Sequence, residues 1–188
     1  MAKIDVFVDT ETTGFGHVAD PPRDDAIVEF GMAYRLNGEI EKIGWLCNPG
    51  KRYYANGRAS GALSTSQITE DEIEQALSDK EVSRMARDLL DSLGNVVLHS
   101  YNIPFDRPFL EKPPWSFNKY QWGDDVMDVA HHFFDLPWDY KIGLKRTLER
   151  LGLQPIGEPH RAVTDAVSAM MAYEFIKNKI STSDTNKS

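Results

Sequence analysis

Residues 4–15 read Ile4-Asp5-Val6-Phe7-Val8-Asp9-Thr10-Glu11-Thr12-Thr13-Gly14-Phe15. The apolar residues over 3–9 are typical of a buried strand, and Gly14 permits a turn directly after it. Asp9 and Glu11 are two residues apart at the strand end, so the alternation of a β-strand sends both side chains to one face. Ligands of α/β sheets usually bind at this carboxyl edge. The pair is therefore a candidate site, although a solvated strand end would show the same pattern.

Hydrophobic periodicity and turn signals predict that strands and helices alternate along the rest of the chain, which indicates an α/β fold. Further strands are predicted at 26–36, 39–47 and 95–99, with the hairpin dipeptide Asn37-Gly38 joining the first two. Helices are predicted at 69–78, 81–93, 102–111, 143–152 and 160–179, and residues 125–135 are either a short strand or the start of a helix. Because no repeat or linker is visible, residues 1–180 are expected to form one domain, followed by a polar, disordered tail at 181–188.

The composition excludes several classes of protein. No apolar segment reaches the roughly 18 residues that a membrane helix needs, so we expect no membrane association. The first apolar segment is also too short for a signal peptide, and the single cysteine, Cys47, fits a reducing compartment, so we expect a cytoplasmic protein. The net charge of −8 has the wrong sign for binding nucleic acid through phosphate contacts alone. A polyanionic substrate would therefore need a local basic patch or bound cations.

A second candidate carboxylate, Asp106, follows the strand predicted at 95–99. Asn102 precedes it by one helical turn, so both side chains can face one cleft. Pro104 and Pro108 lack an amide hydrogen, which is tolerated only in a first helical turn, so we expect this helix to start irregularly. The alternative for Asp106 is an ordinary first-turn acid that the helix dipole stabilises.

A third group, His160 and Asp165, lies at the start of the last predicted helix. Five residues rotate a helical side chain by about 140°, so the two cannot share one stripe but can flank one centre. In that arrangement Asp165 would bind a metal ion while His160 reaches a water molecule beside it. Taken alone, His160 has the features of a surface histidine near a helix cap.

Together these segments resemble the DnaQ-like 3′-to-5′ exonucleases of the ribonuclease H-like superfamily, from residue 4 to about residue 176. The three motifs of that family are similar to residues 8–15, 102–106 and 160–166, in the same order. His160 stands five residues before Asp165, as in the branch named for four acids and a histidine. The sister branch has a tyrosine four residues before the last acid, where this chain has Arg161. One departure is Tyr101, at a position where many members have a histidine.

The resemblance implies a ribonuclease H-like α/β fold, with a central mixed five-stranded sheet flanked by helices. It implies two Mg²⁺ or Mn²⁺ ions, which agrees with the preference of these cations for carboxylate oxygens. The implied catalytic residues are four acids that bind the metal ions and one general base: Asp9, Glu11, Asp106, Asp165 and His160. The residues implied to bind the terminal nucleotide are Thr12, Thr13, Gly14, Phe15, Asn102 and Phe105.

The activity implied is metal-dependent 3′-5′ exonuclease cleavage that releases nucleoside 5′-monophosphates from single-stranded or frayed ends, with DNA slightly favoured over RNA. An exoribonuclease of the same family is one alternative. The other is a proofreading subunit that acts chiefly by docking to a DNA polymerase. Such subunits usually carry a C-terminal extension, whereas about ten polar residues follow the last predicted helix here.

Overall fold

A mixed six-stranded sheet forms the centre of the computed structural model, which describes residues 3–19, 23–57, 59–137, 139–158 and 160–185. The strands are β1 (Ile4–Thr12), β2 (Ile27–Leu36), β3 (Glu39–Asn48), β4 (Leu77–Ser78), β5 (Val96–Ser100) and β6 (Gln121–Asp125). They lie in the order β4-β3-β2-β1-β5-β6. Strand β2 is antiparallel to both β1 and β3, whereas β5 pairs parallel with β1 and β6 pairs parallel with β5.

Helices connect these strands and cover both faces of the sheet. Within the described residues they are α1 (Lys51–Tyr54), α2 (Ala59–Ser66), α3 (Glu70–Gln75), α4 (Asp79–Leu93), α5 (Ile103–Glu111), α6 (Val126–Phe133), α7 (Leu144–Leu151) and α8 (Ala162–Thr185). The predicted α/β class is therefore confirmed. The segment 125–135 was predicted to be either a short strand or the start of a helix. In the structure, residue 125 ends β6 and residues 126–133 form α6.

The predicted number of five strands is wrong, because β4 is a sixth. Ser78 forms a capping box with Glu81, which starts α4 at Asp79. The helix predicted at 69–78 therefore ends at Gln75, and Leu77–Ser78 pairs with β3 instead. This edge strand makes two residue pairs, which is too short to produce an alternating pattern in the sequence.

Side-chain alternation along β1 assigns its residues to two different cores. Val6 lies in the core that α4 and α5 cover. Phe7 lies in the core under α8, where Met170 packs. Asp9 and Glu11 have the same parity as Phe7, so they continue its face of the strand toward the start of α8.

Helix α8 lies very close to β2 at Gly31. A Cβ atom on Gly31 would lie 2.3 Å from both the carbonyl carbon of Ala162 and the amide nitrogen of Val163. Gly31 is also the residue that pairs with Asp9 of β1. The missing side chain therefore lets the first turn of α8 lie next to the strand position that carries this acid.

The last helix extends further than predicted. Helix α8 continues to Thr185, past the domain boundary predicted at residue 180, and residues 186–188 of the predicted tail lie outside the described residues. Among the helices that the structure describes, none is both long and apolar enough to span a membrane.

We expect Gly31→Ala to destabilise the protein by about 1–3 kcal/mol, because the added methyl group has to displace the backbone of α8. The matched control is Gly61→Ala in α2, where nothing lies within 4 Å of the added Cβ. Alanine there should raise stability by about 0.5–1 kcal/mol. Urea denaturation of both variants measures the difference, and a Gly31→Ala variant as stable as the wild type would contradict the close approach.

Candidate active site

Carboxylate oxygens of three acids converge at the carboxyl end of β1. One oxygen from each of Asp9, Glu11 and Asp165 lies within 4.8 Å of the other two, and all three residues are half-buried. Strand β1 supplies the first two, and α8 supplies the third from its first turn. Within the described residues, no other group of three acidic, histidine or cysteine side chains is close enough to bind one metal ion.

The fourth predicted acid, Asp106 of α5, borders this group. It is 3% exposed, and the Thr10 hydroxyl donates a hydrogen bond of 2.7 Å to its Oδ1. Thr10 lies between Asp9 and Glu11, so this bond connects α5 directly to the end of β1. The charge of Asp106 also contributes to raising the pKa of Asp9, which places the two carboxyl groups within electrostatic range. The structure thus brings three of the four acids into one cluster and places the fourth beside them.

His160 lies two residues before α8, so the prediction that the last helix begins at residue 160 is wrong, and the histidine has an unusual backbone conformation. Its φ of 58° is in the left-handed region, in which histidine is enriched among non-glycine residues. The residue is exposed. The hydrogen bond from its backbone amide and its charge both lower the pKa of Asp165, in opposition to burial. His160 and Asp165 also line one cavity of about 630 Å³, whose other walls include α7 and Gln67. The histidine is therefore beside the acid cluster but not within it.

Burial raises the pKa of each acid at this site and is the largest cause in every case. It raises the pKa of Glu11 to about 8, that of Asp106 to about 7 and that of Asp165 to about 6. The pKa of Asp9 lies well above its ordinary value, because the charges of Asp106, Asp165 and Glu11 add to the effect of burial. The metal-free cluster therefore retains protons near neutral pH, and binding of a divalent cation would release them.

The loop after β1 is closed by its own hydrogen bonds. Thr12 donates its hydroxyl to the Gly14 carbonyl at 2.7 Å, and the Thr13 hydroxyl accepts from the Ala26 amide at 3.0 Å. A Cβ on Gly14 would lie 2.6 Å from Oδ2 of Asp25, so a larger residue there would have to displace the Asp25 side chain, which accepts a hydrogen bond from the Gly16 amide. Phe15, in contrast, is 67% exposed. The loop therefore presents an aromatic ring to solvent while both threonine hydroxyls are engaged inside it.

The start of α5 lies against this loop. His17 donates from Nε2 to the Pro104 carbonyl at 2.7 Å, which joins the two segments. Phe105 is half-buried, with its ring centroid 5.4 Å from that of Phe109. Asn102 occupies the N-cap position of α5, but its side chain makes no capping hydrogen bond.

Tyr101, which departs from the family pattern, has a structural role. Its ring is 7% exposed, and its hydroxyl donates to the Ile142 carbonyl at 2.7 Å and lies 2.7 Å from the Thr147 hydroxyl. These contacts join the end of β5 to α7 and to the segment before it. Tyr101 therefore points into the protein and away from solvent.

Two residues that contribute to this site, Glu29 and Arg161, were not identified from the sequence. Glu29 of β2 pairs with Glu11 across the sheet, and its carboxylate binds the guanidinium group of Arg161. The signal available for Glu29 was an acid flanked by apolar residues within the strand predicted at 26–36. Nothing in the sequence indicated that its partner is the residue after His160.

The comparisons with known proteins agree with this geometry. The family model for exonucleases of the RNase T type matches residues 6–173. This chain belongs to that exonuclease family. The resemblance to the DnaQ-like exonucleases of the ribonuclease H-like superfamily is thereby confirmed, and the exonuclease is an enzyme of the nuclease class. No curated protein sequence matched the chain.

Solved structures share the fold of this exonuclease at low sequence identity. The nuclease domain of 3′hExo, a DEDDh family member bound to rAMP, is 19% identical with a TM-score of 0.71, and the match covers 93% of this chain and 92% of that one. Exonuclease I of E. coli in complex with a 5cy-dT13 oligonucleotide is 17% identical with a TM-score of 0.73. That match covers 95% of this chain but 41% of the E. coli chain. Cell-death related nuclease 4 is 14% identical with a TM-score of 0.69, over 93% of this chain and 64% of that one.

We expect Glu11→Gln to stabilise the metal-free protein at pH 7.5. The unfolded chain ionises Glu11 above about pH 4.5, whereas the folded protein keeps it protonated to about pH 8. The wild type therefore loses stability as pH rises through this interval, and glutamine avoids the loss. Thermal melts in EDTA should place the variant at least about 2–4 °C above the wild type at pH 7.5, with a smaller gap at pH 5.

The control is Glu81→Gln at the start of α4. Hydrogen bonds from Ser78 lower the pKa of Glu81, so the glutamine variant should not gain stability at pH 7.5. A Glu11→Gln variant no more stable than the wild type at pH 7.5, or a gap that widens toward pH 5, contradicts the buried cluster.

Proposed function

We propose that this exonuclease hydrolyses phosphodiester bonds from the 3′ end of single-stranded or frayed nucleic acid, depends on divalent cations, and releases nucleoside 5′-monophosphates. The observation that carries the proposal is the convergence of the Asp9, Glu11 and Asp165 carboxylates within 4.8 Å. Without a cation, this negative cluster would repel a phosphodiester.

The residues present fit a centre for Mg²⁺ or Mn²⁺. All four acids offer hard oxygen donors, and the single cysteine, Cys47, is buried and donates to the Ile27 carbonyl instead. Two ions are proposed, with Asp9, Glu11 and Asp165 binding one, and Asp9 and Asp106 binding the other. When bound, the ions would polarise the phosphodiester and lower the pKa of the attacking water.

His160 is proposed as the general base. It lies beside Asp165, it is exposed, and it stands outside the three-acid cluster, so a ring nitrogen is free to accept the proton of the attacking water. Proton transfer by a positioned histidine contributes typically about 10²–10⁴-fold to a rate. Its proposed role is therefore proton transfer, while the acids bind the cations.

The terminal nucleotide is assigned to the space between the loop after β1 and the start of α5. Phe15 is the exposed ring of the loop against which a base can stack, and Phe105 is a half-buried ring in the first turn of α5. Asn102 is not used as a helix cap, so its amide is available to a nucleotide. Because the hydroxyls of Thr12 and Thr13 bond within the protein, these two residues would contribute the shape of the loop.

Single-stranded 3′ ends are the proposed substrate class, with DNA slightly favoured over RNA. Ribonucleotides and deoxyribonucleotides both have support, because one structural neighbour was solved with rAMP and another with a deoxyoligonucleotide. A DNA polymerase as partner stays a prediction.

The test is digestion of 5′-labelled DNA and RNA oligomers of one sequence, with Mn²⁺, Mg²⁺ or EDTA. We expect stepwise shortening from the 3′ end, 5′-monophosphate products and no cleavage in EDTA. Asp9→Asn, Glu11→Gln, Asp106→Asn and Asp165→Asn should each abolish cleavage, because each removes a cation ligand. His160→Ala should lower the rate by about 10²–10⁴-fold and retain Mn²⁺ binding.

The matched control is Asp88→Asn in α4, an exposed acid that pairs with Arg84 of the same helix and should keep wild-type activity. Internal cleavage, undiminished activity in EDTA, or full activity of Asp165→Asn would contradict the proposal. A loss of Mn²⁺ affinity in His160→Ala as large as in Asp165→Asn would reassign the histidine as a ligand.

A further inference from the structure

Glu29 is a fifth acid at the catalytic end of the sheet, and its contacts differ from those of the other four. It is 3% exposed and pairs with Glu11 across β1 and β2. Arg161 donates from Nη2 to Oε1 of Glu29 at 2.7 Å, and from Nε to both carboxylate oxygens at 3.0 and 3.1 Å. The Ala162 amide donates to Oε2 at 2.9 Å. Both oxygens of Glu29 are thus engaged with the start of α8, so this carboxylate is not a free metal ligand.

These bonds act on the backbone that carries His160 and Asp165. The first amide hydrogens of a helix have no partner within it, and a negative charge at this end is stabilising. Glu29 supplies that charge to Ala162, the first residue of α8. The bidentate arginine contact adds a fixed orientation, which a single-point contact would not give.

Gly31 completes this contact between β2 and α8. Glu29 and Gly31 lie on the same face of β2, two residues apart. At Glu29 the strand bonds to the helix start, and at Gly31 it lies against the backbone of Ala162 and Val163. Since Gly31 pairs with Asp9 and Glu29 pairs with Glu11, the start of α8 is located relative to both acids of β1.

We propose that Glu29 and Arg161 form a positioning pair, which fixes the first turn of α8 so that His160 and Asp165 lie over Asp9 and Glu11. His160 depends on this pair in particular, because it is exposed and, among the described residues, its ring makes no hydrogen bond. The pair acts through the backbone of residues 161 and 162 and does not itself touch the substrate. This inference rests on the proposed exonuclease function.

A second ion pair offers a matched control. Arg35 of β2 donates to Glu174 of α8 through Nε at 2.6 Å and Nη2 at 2.8 Å, so it joins the same strand to the same helix through the same two guanidinium nitrogens, at a more exposed position. It lies more than two helical turns from Asp165 along α8. Loss of this pair removes a comparable contact between strand and helix and leaves the start of α8 in place.

The experiment compares two double variants, Glu29→Gln/Arg161→Gln and Arg35→Gln/Glu174→Gln. Removing both partners avoids leaving an unpaired buried charge, which is the usual cause of misfolding when one partner is removed. Four quantities are measured for each protein: the melting temperature, kcat and KM on a single-stranded oligomer at saturating Mn²⁺, and the Mn²⁺ dissociation constant of the protein without substrate. Arg161→Lys, which keeps the charge but not the bidentate geometry, is a further variant.

We expect the Glu29/Arg161 double variant to lower kcat by about 10–100-fold, to leave KM within about threefold, and to weaken Mn²⁺ binding, as is typical for groups that orient metal ligands. Arg161→Lys should show a smaller loss in the same direction, and the Arg35/Glu174 variant should match the wild type in kcat and Mn²⁺ affinity. Equal effects of the two double variants would overturn the proposal. It would also be overturned if Glu29→Gln alone weakened Mn²⁺ binding as Glu11→Gln does while Arg161→Lys had no effect, since Glu29 would then be a ligand.

A wild-type protein without nuclease activity would refute the proposed function. The Mn²⁺ affinities of the variants would still decide whether the pair positions α8, because that measurement needs no substrate.

Discussion

Repulsion among the buried carboxyl groups at the end of β1 is the constraint that the surrounding structure has to overcome. Burial and the charges of four neighbouring acids together raise the pKa of Asp9, and Glu11 keeps its proton to about pH 8. Such a cluster opposes folding of the metal-free chain. The compensation comes from two apolar cores on opposite faces of one sheet, which fix β1 independently of the charges at its end. A bound cation would convert the same arrangement from unfavourable to favourable.

Each element that contributes to the site is joined to β1 or β2 by its own contact. Helix α5 is joined through the bond from Thr10 to Asp106, and the loop after β1 is joined to α5 through His17. Helix α8 lies on Gly31 and is bonded to Glu29. The position of the acids is therefore set by contacts between elements that are distant in the sequence.

Local signals in the sequence predict the local parts of the structure well. The strand at 3–9 and the capping signal at Thr69 appear in β1 and α3, and the Asn37-Gly38 turn joins β2 to β3. The α/β class and the convergence of Asp9, Glu11 and Asp165 follow from the motifs and their order. Strand β4 and helices α1 and α2 were not predicted, because short elements have too few residues to show periodicity. The contact of Glu29 with Arg161 joins positions 132 residues apart, so no local pattern in one sequence reveals it.

The proposed chemistry depends most directly on how many cations the carboxylate cluster binds. Electron paramagnetic resonance titration of free Mn²⁺, in the presence of a saturating nucleoside 5′-monophosphate, counts the ions bound per chain. We expect two ions for the wild type, and at most one for Asp9→Asn, because Asp9 is assigned to both. No bound Mn²⁺ in the wild type, or two ions retained by Asp9→Asn, would contradict the proposed chemistry.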